Sequence, residues 1–241
     1  MTPTLLIFAR YPRPGRVKSR LAARLGEDWA FRIYRAMLLD SADRFGSLPA
    51  DQRRLFLSDC SEEEGRELIS QTIPSQGFVL GIQRGADLGE RLINGLHDCG
   101  RCAGGVLILG ADSPTVPLSY LRDAAQEMET APIVVGPALD GGYYLLGMKR
   151  VRTDLFEGID WGSTRVLEQT LSRLRPDEYA LLPRWSDVDT VHDLGRVRSE
   201  IADSPEWRES RLRAALSALD ETSARIPTSN RQRPKSKGRF S

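Results

Sequence analysis

The sequence predicts an α/β protein with a mainly parallel central sheet flanked by helices. Three observations carry that expectation. Short apolar runs alternate with amphipathic segments of helical length, as in successive βαβ units. The runs, such as Leu5-Leu6-Ile7-Phe8-Ala9 and Val106-Leu107-Ile108-Leu109, are apolar at consecutive positions, as strands buried on both faces require. Polar and charged residues follow the runs directly, at the carboxyl ends where open α/β sheets bind ligands.

Taken in order, Leu5 to Ala9 is the first strand, followed by the loop Arg10-Tyr11-Pro12-Arg13-Pro14-Gly15-Arg16 and a helix beginning near Val17. The apolar positions Ala30, Phe31, Ile33, Tyr34, Met37 and Leu38 place a long helix over Asp28 to Phe45. Arg53 to Ser58 reads as a second strand, the acidic run Glu62 to Glu67 as a solvated helix, and Phe78 to Ile82 as a third strand. The turn Gln83-Arg84-Gly85-Ala86-Asp87 then opens a helix, with Asp87 as a plausible N-cap.

A fourth strand ends at Gly110, and Asp112, barred from a dry core, must emerge at its carboxyl end before Pro114 turns the chain. A helix over Leu118 to Glu129 and a strand over Pro132 to Gly136 follow; beyond them the Asp140-Gly141-Gly142 turn predicts a reversed strand. Ser163-Thr164 should start a helix reaching Leu174, the Thr190 to Asp193 spacing is a capping arrangement, and Glu206 to Leu219 should be the last helix.

With 241 residues, 40% of them hydrophobic, the chain can bury one sizeable core. We expect one domain over 1–222 and a basic, disordered tail over 223–241, dispensable for folding because it lacks apolar periodicity. A net charge of +1 gives no overall basic field for nucleic acid. The amino-terminal stretch has no basic leader and no run long enough to span a bilayer, which predicts a cytoplasmic protein. Cys99 and Cys102 have metal or redox spacing, but with no second close pair they read better as reduced structural thiols.

The first loop concentrates cations between a buried strand and a helix start, the chemistry of a phosphate site. Its candidates for holding a nucleotide are Ala9, Arg10, Gly15, Lys18 and Arg20, joined by Gly85 and Asp87 of the later turn, where capping alone also explains Asp87. Asp187 and Asp189 lie on one face of an extended stretch and could share a divalent cation or simply precede a helix. Asp140 is a turn former or a general base. Tyr143, Trp161 and Ser163 are candidates for an acceptor pocket, the aromatics offering flat apolar faces.

These blocks, namely Phe8-Ala9-Arg10, Pro14-Gly15, Val17-Lys18-Ser19-Arg20-Leu21, Asp87-Leu88-Gly89-Glu90-Arg91, Gly110-Ala111-Asp112-Ser113-Pro114, Asp140-Gly141-Gly142-Tyr143-Tyr144 and Trp161-Gly162-Ser163-Thr164, resemble the DUF2064 family of bacterial GT-A-type transferases. The resemblance covers roughly the first 195 residues. It implies a single-domain, Rossmann-like GT-A fold related to nucleotide-diphospho-sugar transferases and to the guanylyltransferases of molybdenum and F420 cofactor synthesis. It further implies that Asp112 takes the place of the metal-binding Asp-x-Asp element, with Mg²⁺ or Mn²⁺ bridging to a nucleotide diphosphate.

Gly110 and Ser113 flank Asp112, so a second metal ligand would come from Asp189 or Asp140. The expected partners are a nucleotide-sugar or nucleoside triphosphate donor and a small-molecule acceptor. The leading expectation is metal-dependent glycosyl transfer with Asp140 and Lys18 as catalytic residues. Nucleotidyl transfer with release of pyrophosphate is the alternative, because the first loop is poorer in glycine than the guanylyltransferase version. A non-catalytic nucleotide-binding module is the third reading.

Overall fold

The computed structural model describes residues 1–73 and 77–225. Seven strands form one sheet: β1 (Thr4–Arg10), β2 (Arg53–Ser58), β3 (Val79–Ile82), β4 (Val106–Gly110), β5 (Ile133–Pro137), β6 (Tyr143–Met148) and β7 (Tyr179–Leu181). Their order is β3-β2-β1-β4-β6-β5-β7. Every pairing is parallel except those of β6, which runs antiparallel to both β4 and β5. The reversed strand expected after Asp140-Gly-Gly is therefore present. It inserts between β4 and β5, so these two are not the direct neighbours that simple winding suggests.

The helices are α1 (Ser19–Leu25), α2 (Glu27–Gly46), α3 (Glu62–Thr72), α4 (Leu88–Cys99), α5 (Leu118–Glu127), α6 (Val166–Leu171), α7 (Val191–Ala202) and α8 (Arg211–Arg225). Alternation along β1 divides the core: Leu5, Ile7 and Ala9 pack beneath α2, α3 and α5, while Leu6 and Phe8 face α4 and the 3₁₀ turn at Thr153–Phe156. A third apolar cluster lies outside the sheet, where Val197, Leu212 and Leu216 of α7 and α8 cover Ile33 and Met37 of α2.

Several expected boundaries shift for local reasons. Lys18 adopts a left-handed conformation (φ 48°), so the first helix begins only at Ser19. Gly26, at φ 87°, then separates α1 from α2, a turn that only glycine makes without strain. The acidic helix is longer than its charged run because Ser61 and Glu64 form a capping box and Leu68 anchors its buried side. Helix α6 is short, starting after Arg165 and ending at Leu171. The edge strand β7, only Tyr-Ala-Leu, carries too little periodicity to be read in advance. The last helix starts at Arg211 and continues to Arg225, past the expected boundary at 222. The rest of the expected tail, 226–241, lies outside the described residues. No helix among the described residues is long and apolar enough to cross a membrane.

Helix α8 is tied to α2 by one buried carboxylate. Asp40 is 4% exposed and accepts hydrogen bonds from the amides of Arg211 (3.2 Å) and Leu212 (2.8 Å), groups that would otherwise be orphaned at the start of α8. The Arg211 guanidinium closes the arrangement by pairing with Asp40 and Asp43. Asp40→Ala should cost about 1–3 kcal/mol, the range for leaving buried partners unsatisfied, and Asp40→Asn should cost less. Urea unfolding at neutral pH measures both; an Asp40→Ala midpoint equal to that of wild type would show that α8 is held by its apolar face alone.

Candidate functional site

Because six of the seven strands point the same way, their carboxyl ends and the loops that follow share one edge of the sheet. Asp112 follows β4 there, Lys18 closes the loop after β1, and Asp140 turns the chain after β5. The segment after β7 also runs back to this edge. Trp185 N donates to Pro137 O, Leu139 N to Trp185 O, and Val188 N to Asp112 O at 2.9 Å. That last bond joins the loop of Asp187 and Asp189 to the loop of Asp112.

Lys18 stands at the centre. Its side chain is 5% exposed, and its ammonium lies 2.7 Å from both Asp112 Oδ1 and Asp189 Oδ1. Burial works against the charge, but the two carboxylates outweigh it, and the net effect raises the Lys18 pKa above the ordinary 10.5. The left-handed backbone that aims this side chain inward costs a non-glycine residue about 1–2 kcal/mol, so the surrounding contacts must over-determine it. Asp112 and Asp189 keep 55% and 42% of their side-chain surface open. Arg20 stands 3.9 Å from Asp189.

Asp187 is half-buried beside this group. Burial first, then the charges of Asp140 and Asp189, raise its carboxyl above the usual value. Asp140 is exposed, and its Oδ1 accepts from Gly142 N at 2.8 Å, the turn chemistry expected of Asp-Gly-Gly. Gly141 has no room for a side chain, since a Cβ there would lie 2.1 Å from Thr164 O, and its carbonyl accepts from Leu167 N. The Asp140 turn is thereby clamped to α6. Between them lies an open groove of about 700 Å³, lined by Leu139, Leu167 and Leu171 together with Asp140, Glu168 and Arg184. Leu139 is 63% exposed.

From the end of β1 to the first turn of α1, Arg10, Arg16 and Arg20 are exposed, and Arg10 and Arg16 make no ion pair among the described residues. Arg13 is drawn aside to Glu64 at 2.7 Å. Gly15, at φ 71°, makes the turn before Lys18. The backbone of the β1 end is already engaged: Ala9 O accepts from Gln83 Nε2, while Arg10 N and O pair with the Tyr34 hydroxyl at 2.9 and 3.0 Å. Ala9 therefore shapes the edge through its backbone.

The remaining candidates sit elsewhere. Asp87 caps α4 by accepting from Glu90 N at 2.9 Å, and Gly85 makes the turn before it at φ 141°. Trp161 packs on Phe156, with its indole nitrogen against Gly89 in the first turn of α4. The Tyr143 hydroxyl turns inward toward Thr170, and burial raises its pKa. Ser163 Oγ accepts from Arg165 N at 3.2 Å. Thus Lys18, Asp112 and Asp189 come together, Asp140 acts on their neighbour Asp187 through its charge, and Tyr143 and Trp161 serve the core beneath α6 and α4.

Three further residues shape the edge. Tyr34 reads as one more apolar position of α2, yet its hydroxyl pins the end of β1, and burial followed by the nearby Asp112 carboxylate raises its pKa. Gln83 Nε2 bridges the carbonyls of Ala9 (2.8 Å) and Phe56 (2.9 Å) at the ends of β1 and β2. Asp59, after β2, holds φ 62°, uncommon for a residue other than glycine. A polar tip on an apolar helix face and an amide directly after a strand were the available signals. Cys99 is buried with its thiol pushed up to about 11, and no group of three or more His, Cys, Asp or Glu among the described residues is arranged to hold a metal.

A mainly parallel sheet with one reversed strand, and with its polar residues gathered at the carboxyl edge, defines a GT-A-like α/β protein. Residues 44–163 match the family described as an uncharacterized protein conserved in bacteria (DUF2064). The crystal structure of a candidate nucleotide-diphospho-sugar transferase from Desulfovibrio desulfuricans G20 is 31% identical and superposes with a TM-score of 0.80, over 92% of this chain and 96% of that one. The chain belongs to the DUF2064 family.

Two distant structures share the fold. A cytidylyltransferase from Leptospira borgpetersenii serovar Hardjo-bovis is 12% identical with a TM-score of 0.56, over 97% of this chain and all of that one (100%). The 4-diphosphocytidyl-2C-methyl-D-erythritol synthase from Anaerococcus prevotii is 9% identical with a TM-score of 0.57, over 83% of this chain and 96% of that one. No curated protein matches the chain.

Because its folded pKa is raised, Lys18 stabilises the fold fully below pH 10.5, and that contribution fades as the pH climbs through the higher folded value. Lys18→Met should therefore cost about 2–3 kcal/mol near pH 8, less than a fully buried pair because both carboxylates are about half open to water. The gap between variant and wild type should narrow above pH 10.5. Denaturation at a series of pH values reads it; a gap that stays constant into strong alkali would mean that the ammonium contributes no electrostatic stability.

Proposed function

We propose that the protein is a metal-dependent transferase acting on a nucleotide-activated donor, and specifically that it moves a sugar from a nucleotide-diphospho-sugar to a hydroxyl acceptor. The observation that carries the reading is the pairing of Asp112 and Asp189 on one buried ammonium at the ligand-binding edge of the sheet. The kinship with the 31% identical candidate nucleotide-diphospho-sugar transferase supports it.

The residues fit Mg²⁺ or Mn²⁺, since such ions take one or two carboxylates and complete their shell with water and substrate phosphates. Asp112 and Asp189 would hold the ion through their open oxygens. When bound, it would supply charge stabilisation to the departing diphosphate. Lys18 keeps the two carboxylates together in its absence and offsets their repulsion. Arg10, Arg16 and Arg20 supply charge-assisted hydrogen bonds to phosphate oxygens. Asp140 accepts the proton of the attacking hydroxyl, with the acceptor lodged in the groove against Leu139, Leu167 and Leu171.

Mass spectrometry of products after incubation with a panel of nucleotide sugars and nucleoside triphosphates, with Mg²⁺ or Mn²⁺ and glycoside acceptors, tests the reaction. Sugar transfer is expected; turnover of triphosphates alone, with release of pyrophosphate, would replace this reading with nucleotidyl transfer. Two variants test the roles by calorimetry with a nucleoside diphosphate and Mn²⁺. Asp112→Asn should abolish the metal-dependent part of the affinity. Arg20→Ala should weaken binding by about 1.5–3 kcal/mol, the range for hydrogen bonds to charged groups. Affinity equal to wild type in Asp112→Asn would remove Asp112 from the metal site.

A further inference from the structure

The two carboxylates at the centre of the site come from separate loops; Lys18 bridges their charges, and the backbones that carry them are braced separately. Their support comes from α7. Arg196 NH2 donates to Asp187 O at 2.9 Å, and Arg196 NH1 donates to Glu200 Oε1 at 3.2 Å. The other oxygen of Glu200 accepts from Thr115 Oγ1 at 2.5 Å, just beyond Asp112, and Thr115 in turn accepts from Trp185 Nε1 at 3.3 Å.

Arg196 also lies 3.7 Å from Asp193. The Asp193 carboxylate accepts from Asp189 N (3.1 Å), Thr190 N (2.7 Å) and Thr190 Oγ1 (2.7 Å). One guanidinium therefore touches the backbone before Asp189, the carboxylate that receives the Asp189 amide, and the carboxylate that grips the Asp112 loop. The ring closes at Val188 N to Asp112 O.

We infer that Arg196, acting with Glu200, is a positioning residue that locks the Asp187–Asp189 loop against the Asp112 loop and so sets the spacing of the two carboxylates. A capped helix end needs none of this. The Thr190 and Asp193 capping box already serves the amino terminus of α7, and the planar fork of Arg196 reaches beyond it to one acceptor on the site's own loop, Asp187 O, and to two carboxylates of α7, Asp193 and Glu200, that themselves accept from Asp189 N and Thr115 Oγ1. Lysine carries the charge, but its three donors radiate from one nitrogen, so it cannot span acceptors spread along a planar fork.

The inference rests on the proposed transferase only for what the carboxylates are for; the locking itself is measurable without any substrate. Arg196→Lys is compared with Arg198→Ala, which breaks an ion pair between α7 and Asp220 of α8 and leaves the loops untouched. Amide hydrogen exchange by NMR reads the lock at Val188 and Asp189. Exchange at both should quicken at least tenfold in Arg196→Lys and stay at the wild-type rate in Arg198→Ala, with helix and strand amides elsewhere unchanged.

Titration with Mn²⁺ alone, followed by electron paramagnetic resonance, gives the second readout. Affinity should fall about 10–100-fold in Arg196→Lys, the range for residues that orient metal ligands through hydrogen bonds. Unchanged exchange at Val188 and Asp189, or equal acceleration in both variants, would overturn the inference. Should wild type bind no Mn²⁺ while exchange behaves as expected, the metal reading falls and the positioning role stands.

Discussion

An ammonium group buried between two carboxylates is the constraint on which the carboxyl edge of the sheet depends. Lys18 reaches Asp112 and Asp189 because its own backbone is held left-handed between a proline-stiffened loop and α1. Two negative groups this close would otherwise repel, and each would lose part of its hydration without compensation. The cation lets the chain bring them together before any ligand arrives. The protein supplies one positive charge of its own and leaves the outer faces of the two acids to water.

Around that centre the charges are sorted by loop. The exposed arginines of the first loop lie on the β1 side, while Asp140 and Asp187 lie on the β5 and β7 side. A chain whose net charge is only +1 thus presents a cationic wall and an acidic wall across the same edge. The rigid parts are backbone. Tyr34 fastens the end of β1, Gln83 ties β1 to β2, and Gly141 presses the Asp140 turn against α6.

The strands were legible because each is a run of consecutive apolar residues ended by a polar one, a pattern that burial on both faces leaves few ways to satisfy. The Asp140-Gly-Gly turn announced a reversed strand for the same local reason. Where the outcome depended on distant parts of the chain, local pattern was silent. The insertion of β6 between β4 and β5 and the three-residue edge strand β7 are settled by tertiary contacts, whereas the helix break at Lys18 and Gly26 is a local turn at positive φ. The candidate site divides in the same way. Asp112, Lys18 and Asp140 could be named because charged residues after buried strands have nowhere else to go, and Asp189 because it shares one face of an extended stretch with Asp187. Trp161 and Tyr143, equally prominent in sequence, turn to the core, since an aromatic beside glycine can pack in either direction. Arg196 and Glu200 look like ordinary polar positions of an amphipathic helix, and only the approach of the Asp112 loop distinguishes them.

The pairing of Lys18 with Asp189 also has a temporal side, because the two residues stand 171 positions apart in the chain. Contacts of such high sequence separation raise the contact order of a fold and slow its formation. During synthesis the sheet strands β1 to β6 can pair while Lys18 has only Asp112 to neutralise it. The ligand edge is completed only when the segment after β7 emerges and crosses back over the sheet. A nascent chain therefore passes through a stage in which strands β1 to β6 are present while Asp189 and the third apolar cluster, built on α7 and α8, are still to come.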